Sequence, residues 1–229
     1  MDSITSNVQV IKERIAEAAL KSGRKPEDVL LVGVTKTIDI PRIEALIGAG
    51  VRDLGENKPQ ELCSKHAALG SEIGWHLIGH LQTNKVKTVI GKAKLIHSVD
   101  SLRLAEEIDK RAAALGSKAE ILLEINIAGE DSKHGIAPED AITFAQSLQH
   151  LTSIKVKGLM CIAPYVEEQE NNRKYFAKLR QLFLDIGEKS FHNIEMTDLS
   201  MGMTGDYQVA VEEGATMVRV GTGIFGPRL

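Results

Sequence analysis

The sequence predicts an α/β fold, a (β/α)8 barrel preceded by an N-terminal helix. Eight short apolar runs alternate with helix-like segments along the 229 residues, as in barrels of parallel strands. Prolines stand where the intervening helices should begin, and glycines stand where they should end. The alternative, an open doubly wound sheet, lacks the Gly-x-Gly-x-x-Gly that would follow its first strand. Nothing in the chain resembles a linker, so we predict a single domain over residues 1–229.

The elements follow in order from their periodicity. Apolar residues at helical spacing, from Ile4 to Ala18, predict an amphipathic opening helix that ends near Gly23. The predicted strands lie around residues 29–34, 51–54, 75–78, 95–97, 119–127, 154–160, 194–199 and 216–220. The predicted helices that separate them cover residues 41–47, 59–69, 84–90, 102–115, 139–151, 168–186 and 207–213.

Composition narrows the class of protein. Hydrophobic residues make up 43% of the chain and charged residues 26%, a balance that lets one domain bury a core. The net charge of −3 gives no field that would attract nucleic acid or an anionic membrane. We find neither a signal-peptide pattern nor a membrane-length apolar run, and Cys63 and Cys161 fit no disulfide framework. We therefore expect a cytoplasmic protein without nucleic-acid or membrane partners.

Lys36 is the most informative single residue. It follows the β-branched apolar run that forms the first predicted strand, and it shares the parity of Val32 and Val34. If those valines face the barrel interior, the amine lies at the carboxyl end of the strand, where barrel active sites are found. A partly buried lysine can attack an aldehyde to form a Schiff base. The alternative is a lysine that extends to solvent without a chemical task.

Two further segments are predicted at the same end of the barrel. Residues 199–206, between the seventh strand and its helix, offer the hydroxyls of Ser200 and Thr204 and glycine-spaced amides. Residues 219–226, after the eighth strand, contain Gly221, Gly223 and Gly226. The loops after these two strands commonly bind phosphate in barrels, because free N–H groups favour an anion. Each segment also fits an ordinary capped turn.

A Schiff-base lysine and a phosphate site together suggest pyridoxal 5′-phosphate (PLP) as the cofactor. Arg219 shares one face of the eighth strand with Met217 and Gly221, so it could lie against the pyridine nitrogen. A permanent cation there would keep that nitrogen unprotonated and make the ring a poor electron sink. The alternative for Arg219 is a salt bridge with Asp198 or Glu195.

Eight motifs together resemble the YggS/PROSC family of pyridoxal phosphate homeostasis proteins, from about the first helix to the last residue. They are Val-Thr-Lys-Thr at 34–37, Gly-Glu-Asn at 55–57, Trp-His-Leu-Ile-Gly-His-Leu-Gln-Thr-Asn-Lys at 75–85, Asn-Ile at 126–127, Lys-His-Gly at 133–135, Gly-Leu-Met at 158–160, Leu-Ser-Met-Gly-Met at 199–203 and Met-Val-Arg-Val-Gly-Thr-Gly-Ile-Phe-Gly at 217–226. The combination is far more specific than any one glycine pattern.

The resemblance implies a barrel of the alanine racemase N-terminal-domain type with PLP bound to Lys36. It also implies a set of contacts around the cofactor. Phosphate contacts would fall on Ser200, Gly202, Gly221 and Thr222, the ring-nitrogen partner would be Arg219, and Asn57 and His76 would lie near the ring or the lysine.

Three functions remain open at this point. The resemblance favours a PLP carrier or buffer without established catalysis, which would supply apo PLP-enzymes. The alternative is a PLP-dependent amino-acid racemase, although such enzymes resemble this barrel and continue into a β-rich second domain, whereas this chain ends at Leu229. A lysine-dependent aldolase would bind no cofactor. We expect a monomer, with a dimer left open, and no metal, because His76 and His80 flank a strand end rather than one helical face.

Overall fold

The computed structural model describes residues 3–130 and 133–227. Their strands form a closed barrel in the order β1 to β8, each parallel to its neighbours, and β1 pairs with β8 to close it. The strands are β1 (Leu30–Val34), β2 (Asp53–Glu56), β3 (Gly74–Leu77), β4 (Leu95–Val99), β5 (Ala119–Ile125), β6 (Ile154–Cys161), β7 (Ile194–Met203) and β8 (Met217–Val220). The predicted barrel is confirmed, while Leu229 lies outside the described residues.

Helices surround this barrel. They are α1 (Ser3–Lys21), α2 (Ile40–Gly48), α3 (Pro59–Leu69), α4 (Val86–Val89), α5 (Leu102–Ala114), α6 (Ala141–Ser147), α7 (Arg173–Gly187), α8 (Tyr207–Glu212) and α9 (Thr222–Phe225). The apolar stripe of α1 is buried as predicted, and α1 packs against α2, α8 and α9. In the described part of the chain no helix is long and apolar enough to cross a membrane.

The main core lies between the barrel and its helices. Leu31 of β1 belongs to this core, together with residues of α2 such as Leu46. A Cβ on Gly33 would lie only 2.7 Å from Leu46 Cδ2, so Gly33 faces α2 closely and a larger residue there would displace the Leu46 side chain. Leu31 and Gly33 therefore face outward, and the alternate residues of β1 face the barrel interior.

The barrel interior contains an apolar layer near the amino ends of the strands and a polar layer nearer their carboxyl ends. Leu95, Leu122, Met160 and Met217 form a separate buried cluster, against which Leu30 packs. Leu30, Leu95 and Met217 are the first residues of their strands, which places this layer toward the amino ends. The residues two positions further along β4 and β8 are polar, so a polar layer lies nearer the carboxyl ends.

One prediction about a site segment is wrong. Residues 199–206 are not a loop throughout, because β7 continues to Met203. The strand remains paired with β8 through an irregularity, with Ser200 opposite Met217 and Met203 opposite Arg219. Gly202 has a φ of +90°, which a glycine adopts without strain. The serine and glycine that resembled turn residues therefore lie in a distorted strand end, and the loop begins at Thr204.

Candidate functional site

Lys36 lies two residues beyond the last residue of β1, and its side chain is half-buried. The neighbouring part of the rim comes from the segment after β8. A Cβ on Gly221 would lie 3.3 Å from the carbonyl oxygen of Val34. The chain segments that follow β1 and β8 are therefore adjacent, as the barrel closure requires. The lysine and the last glycine-rich segment share one sector of the barrel mouth.

A buried ion cluster holds the backbone on both sides of Lys36. The ammonium of Lys65, on α3, donates hydrogen bonds to Thr35 O at 2.6 Å, Glu56 Oε1 at 2.8 Å and Glu61 Oε1 at 2.7 Å. The hydroxyl of Thr35 donates to Glu56 Oε1 at 2.6 Å. The amide of Thr37 donates to Glu61 Oε1 at 2.6 Å.

The two carboxyl groups of this cluster respond differently to it. Burial raises the pKa of Glu56 above its ordinary value, although Lys65 and Thr35 oppose the shift. Burial would also raise the pKa of Glu61, but hydrogen bonds from Lys65 and the Thr37 amide hold that pKa below its ordinary value. Glu61 is thus a stable anion that pairs with the ammonium, and Glu56 is the more easily protonated partner.

Arg219 is buried in the polar layer of the barrel. Its Nη1 donates to Ser200 Oγ at 2.6 Å and its Nη2 donates to Cys161 O at 2.8 Å. These bonds use only part of the donor fork of the guanidinium. Its described hydrogen bonds go to neither Asp198 nor Glu195, the partners considered from the sequence. Burial lowers the pKa of Arg219 from its ordinary value, although it stays far above neutrality as a guanidinium must.

A chain of hydrogen bonds continues from Ser200 across the barrel. Ser200 Oγ lies 3.0 Å from His97 Nδ1, His97 Nε2 lies 2.9 Å from His76 Nδ1, and His76 Nε2 lies 2.9 Å from Asp53 Oδ1. Both imidazoles are fully buried. Burial lowers the pKa of His97 well below its ordinary value, and any positive charge on His76 and the charge of Arg219 add to the shift, so His97 is neutral.

The direction of these bonds follows from their chemistry. Arg219 can only donate, so Ser200 accepts from it and can give its own proton to His97 Nδ1. In the tautomer that gives the hydroxyl proton of Ser200 an acceptor, a neutral His97 donates from Nε2 to His76 Nδ1, and His76 donates from Nε2 to Asp53. Every polar atom along the way has a partner, as buried polar groups require. Asp53 is the outer end of the chain, where the exposed Lys94 contacts it at 2.8 Å.

The segments after β7 and β8 are tied together at the rim. The amide of Gly223 donates to Thr204 Oγ1 at 3.2 Å, and the amide of Met203 donates to Asp206 Oδ1 at 2.7 Å. Gly202 is buried, and a Cβ there would lie 2.5 Å from Ala210 Cβ and 2.9 Å from Tyr207 Cα. The strand end must therefore be glycine for α8 to pack against it.

The remaining predicted site residues occupy defined positions at the same end. Asn57 directly follows β2 and is half-buried, and a Cβ on Gly79 would lie 2.5 Å from its carbonyl oxygen. Thr222 is the exposed first residue of α9, directly after Gly221. Both ring nitrogens of His76 are engaged within the polar chain, so His76 reaches the site through His97 and Ser200.

Glu124 is a buried carboxyl that sequence reasoning missed. It is 7% exposed, and its Oε2 has no hydrogen-bond partner among the described residues. Burial, reinforced by the nearby charge of Asp100, raises the pKa of Glu124 to about 7, while Arg219 opposes the shift. A polar residue near the end of β5 was not recognised because the run around it is apolar.

His80, Asp100 and His134 meet outside the polar layer. The two imidazoles stack with their centroids 4.0 Å apart and 13° between their planes, and each Nδ1 lies 3.8–4.0 Å from Asp100 Oδ2. A metal bound by an imidazole lies near the plane of that ring, and two nearly parallel stacked rings share no such point nearby. The cluster therefore is not a preformed metal site in this arrangement.

The structure thus brings Lys36, Gly221 and Thr222 to one rim and places Arg219, Ser200 and His76 in the layer beneath. Sequence reasoning missed His97 and Lys65. Lys65 carried a usable signal, since it lies four residues after Glu61 on one helix face. His97 carried a weaker one, as a polar residue inside a buried strand.

A closed parallel barrel with a lysine after its first strand, a glycine in the distorted end of its seventh and a glycine-containing segment after its eighth defines a (β/α)8 barrel protein with a candidate ligand site at the strands' carboxyl ends. The chain belongs to the family described as alanine racemase, N-terminal domain, whose sequence model matches residues 1–228. It is 42% identical over 219 residues to the pyridoxal phosphate homeostasis protein of Aquifex aeolicus, covering 95% of each chain.

Two solved structures extend the comparison. PipY of Synechococcus elongatus, solved with PLP bound, is 36% identical and superposes with a TM-score of 0.81 over 94% of this chain and 100% of that one. An alanine racemase of Clostridium difficile in complex with cycloserine superposes with a TM-score of 0.77 at 18% identity. The match covers 100% of this chain but 60% of the racemase, and it shows a shared fold alone.

Proposed function

We propose that this protein binds PLP through a Schiff base on Lys36 and acts in intracellular PLP homeostasis. The observation that carries the proposal is a half-buried lysine at the same rim as two glycine-containing segments, with a buried arginine beneath them. The donor set fits the cofactor, because it offers an amine for the aldehyde, amides and hydroxyls for the phosphate, and a cation for the ring. The name of the Aquifex relative and the PLP in PipY support the same assignment.

Each predicted contact has a part in this proposal. The phosphate would be held by the segment around Gly221 and Thr222 and by the backbone of the strand end at Ser200 and Gly202, because the hydroxyl of Ser200 is engaged by Arg219 and His97. Asn57 would contact the ring from the end of β2. His76 would act indirectly, by orienting Ser200 and therefore the guanidinium, since both of its ring nitrogens are engaged.

Arg219 would decide the chemical character of the site. When bound, PLP supplies an electron-withdrawing ring whose strength depends on protonation of its nitrogen. Arg219 donates and cannot accept a proton, so it would hold that nitrogen unprotonated. Ser200 and the carbonyl of Cys161 fix the guanidinium in place. A weak electron sink suits carriage better than carbanion chemistry.

We propose that the protein is a carrier or buffer rather than an enzyme, that it acts as one cytoplasmic domain and as a monomer, and that its recipients are apo PLP-enzymes. The alternative, an amino-acid racemase, needs a second base fixed opposite Lys36. Tyr165, four residues after the end of β6, is 94% exposed and therefore is not fixed. Fast racemisation also needs a closed site that excludes water.

A paired assay tests this role. The protein loaded with PLP is dialysed and incubated with an apo-transaminase, and separately with L-alanine, while recovered transaminase activity and the enantiomer ratio are followed. We expect transfer of PLP and racemisation no faster than with free PLP and a small amine. Robust racemisation that disappears in Lys36→Ala would overturn the carrier role and make the protein an enzyme.

A further inference from the structure

The ammonium of Lys65 is unusually constrained for a lysine. Its side chain is 7% exposed, and its N–H groups are directed to three acceptors at 2.6–2.8 Å. A lysine that only neutralised a carboxylate could keep its flexible stem and contact water. Here the three acceptors fix both the position and the orientation of the ammonium.

The acceptors of Lys65 surround one short piece of backbone. Thr35 lies directly before Lys36. Its carbonyl accepts a hydrogen bond from Lys65, and its hydroxyl donates one to Glu56. Thr37 lies directly after Lys36, and its amide donates a hydrogen bond to Glu61. The backbone is therefore clamped on both sides of Lys36 by groups that all meet at one ammonium.

The clamp also compensates a strained residue. Thr37 has a φ of +65°, in the left-handed region that a β-branched residue rarely adopts. Such a conformation costs about 1–3 kcal/mol and persists only where the surroundings impose it. The short hydrogen bond from its amide to Glu61, itself paired with Lys65, supplies that restraint. A turn in this conformation sets the direction in which the chain carries Lys36.

We propose that Lys65 is a positioning residue that holds the turn Thr35–Lys36–Thr37 in the geometry Lys36 needs to react with an aldehyde. The inference deepens the proposed function and rests on it, because it concerns how the same lysine is presented. Lys65 acts from the outer side of the barrel through Glu56 and Glu61 and would not itself contact PLP. Small displacements of a reacting group have large kinetic effects, up to about 100-fold for an error of about 1 Å.

The test compares Lys65→Met with Lys12→Met. Met keeps much of the stem of lysine and removes the charge. Lys12 is a matched control, because its ammonium also donates to backbone carbonyls, those of Ala49 and Gly50, but lies far along the chain from Lys36. Three properties are measured on apo protein: the rate at which the imine absorbance appears after PLP is added, the affinity for pyridoxamine 5′-phosphate, which lacks the aldehyde, and the thermal midpoint.

We expect Lys65→Met to form the imine about 10- to 100-fold more slowly while its affinity for pyridoxamine 5′-phosphate stays unchanged. Lys12→Met should match the wild type in both properties. A merely structural role would lower the thermal midpoint and leave the imine rate of the folded protein unchanged, and that result would overturn the inference.

A second pair of variants covers the case in which Lys65→Met does not fold. Glu61→Gln keeps an acceptor for the Thr37 amide, whereas Glu61→Leu removes it, and Glu61 is accessible enough to tolerate both. We expect slower imine formation in Glu61→Leu than in Glu61→Gln, and equal rates would contradict the clamp. Failure of the proposed function would give a different result, because the wild-type protein itself would then form no imine on Lys36.

Discussion

Arg219 donates a hydrogen bond from Nη1 to the Oγ of Ser200 at 2.6 Å, and both side chains are buried. Ser200 is at the same time 3.0 Å from His97 Nδ1, so the serine joins the guanidinium to the two histidines that cross the barrel. The guanidinium is thereby fixed by groups from β6 and β7. This arrangement fixes the guanidinium that the proposed function places against the ring of PLP.

The first prediction concerns the charge at this position. In Arg219→Glu, a carboxylate would replace the cation and favour a protonated ring nitrogen. We expect the visible absorption band of bound PLP, and its dependence on pH, to change while the far-UV circular dichroism remains native. Arg219→Gln, which keeps a donor for Ser200, serves as the control for lost hydrogen bonding. An unchanged spectrum in a folded Arg219→Glu variant with PLP bound would mean that Arg219 does not contact the ring nitrogen.

The second prediction concerns the polar chain. His97→Leu removes the acceptor for the hydroxyl proton of Ser200, which keeps only its bond from Arg219, and leaves Nδ1 of His76 without a partner in a dry interior. Each unsatisfied buried group costs about 1–3 kcal/mol, so we expect the free energy of unfolding to fall by about 2–5 kcal/mol. The exposed His192 provides a control, since His192→Leu should leave it within about 0.5 kcal/mol of the wild type. Urea titration of both variants measures the difference in unfolding free energy. Equal unfolding midpoints would contradict the proposed contribution of the hydrogen-bond chain.

The third prediction concerns the end of β7. Gly202→Ala places a Cβ 2.5 Å from that of Ala210 at a φ of +90°, so strain and overpacking add. We expect a loss of about 2–4 kcal/mol in stability and weaker PLP binding. Gly205→Ala is the matched control, because no atom lies within 4 Å of its added Cβ. Thermal unfolding and cofactor titration report the two effects, and similar behaviour of both variants would contradict the close packing.

The fourth prediction follows from Glu124, whose pKa is raised from 4.5 to about 7 mainly by burial. Between those values the folded protein binds more protons at this carboxyl than the unfolded chain does, so stability falls as the pH rises through that window. Glu124→Gln removes this loss. Its unfolding free energy should exceed that of the wild type by more at about pH 8 than at about pH 5, by at most about 3 kcal/mol.

The control for Glu124→Gln is Glu188→Gln, which changes an exposed carboxyl. Its stability relative to the wild type should not depend on pH over the same range. Urea titrations of apo protein at the two pH values provide the comparison. A pH-independent effect of Glu124→Gln would mean that Glu124 is already ionised at the lower pH.

Periodicity was sufficient for the barrel because each strand is an apolar run closed by a turn residue. It identified the apolar stripe of α1 and the interior parity of Val32 and Val34, while the direction of the Lys36 side chain stays a prediction. It failed at β7, where Ser200 and Gly202 resemble turn residues but continue a distorted strand. It also missed α9, because Gly223 is an unfavourable helix residue and the helix is only four residues long.

The polar layer of the barrel could not be derived from the sequence. His97 is separated from His76 by 21 positions along the chain and from Ser200 by 103, and only the closure of the barrel brings these partners together. Spacing selected the individual candidate site residues, such as Lys36 and Arg219. It could not identify the groups that hold them, because those contacts depend on register and shear between strands.

The measurement that tests the account most directly is reduction of the PLP-loaded protein with borohydride, followed by mass spectrometry of its peptides. If PLP is bound through Lys36, the phosphopyridoxyl group should be found on the peptide that contains Lys36, at about one group per chain, because the site presents one such amine. Lys36→Ala should carry no fixed group. An adduct mainly on another lysine, or bound PLP that reduction never fixes, would contradict the central claim.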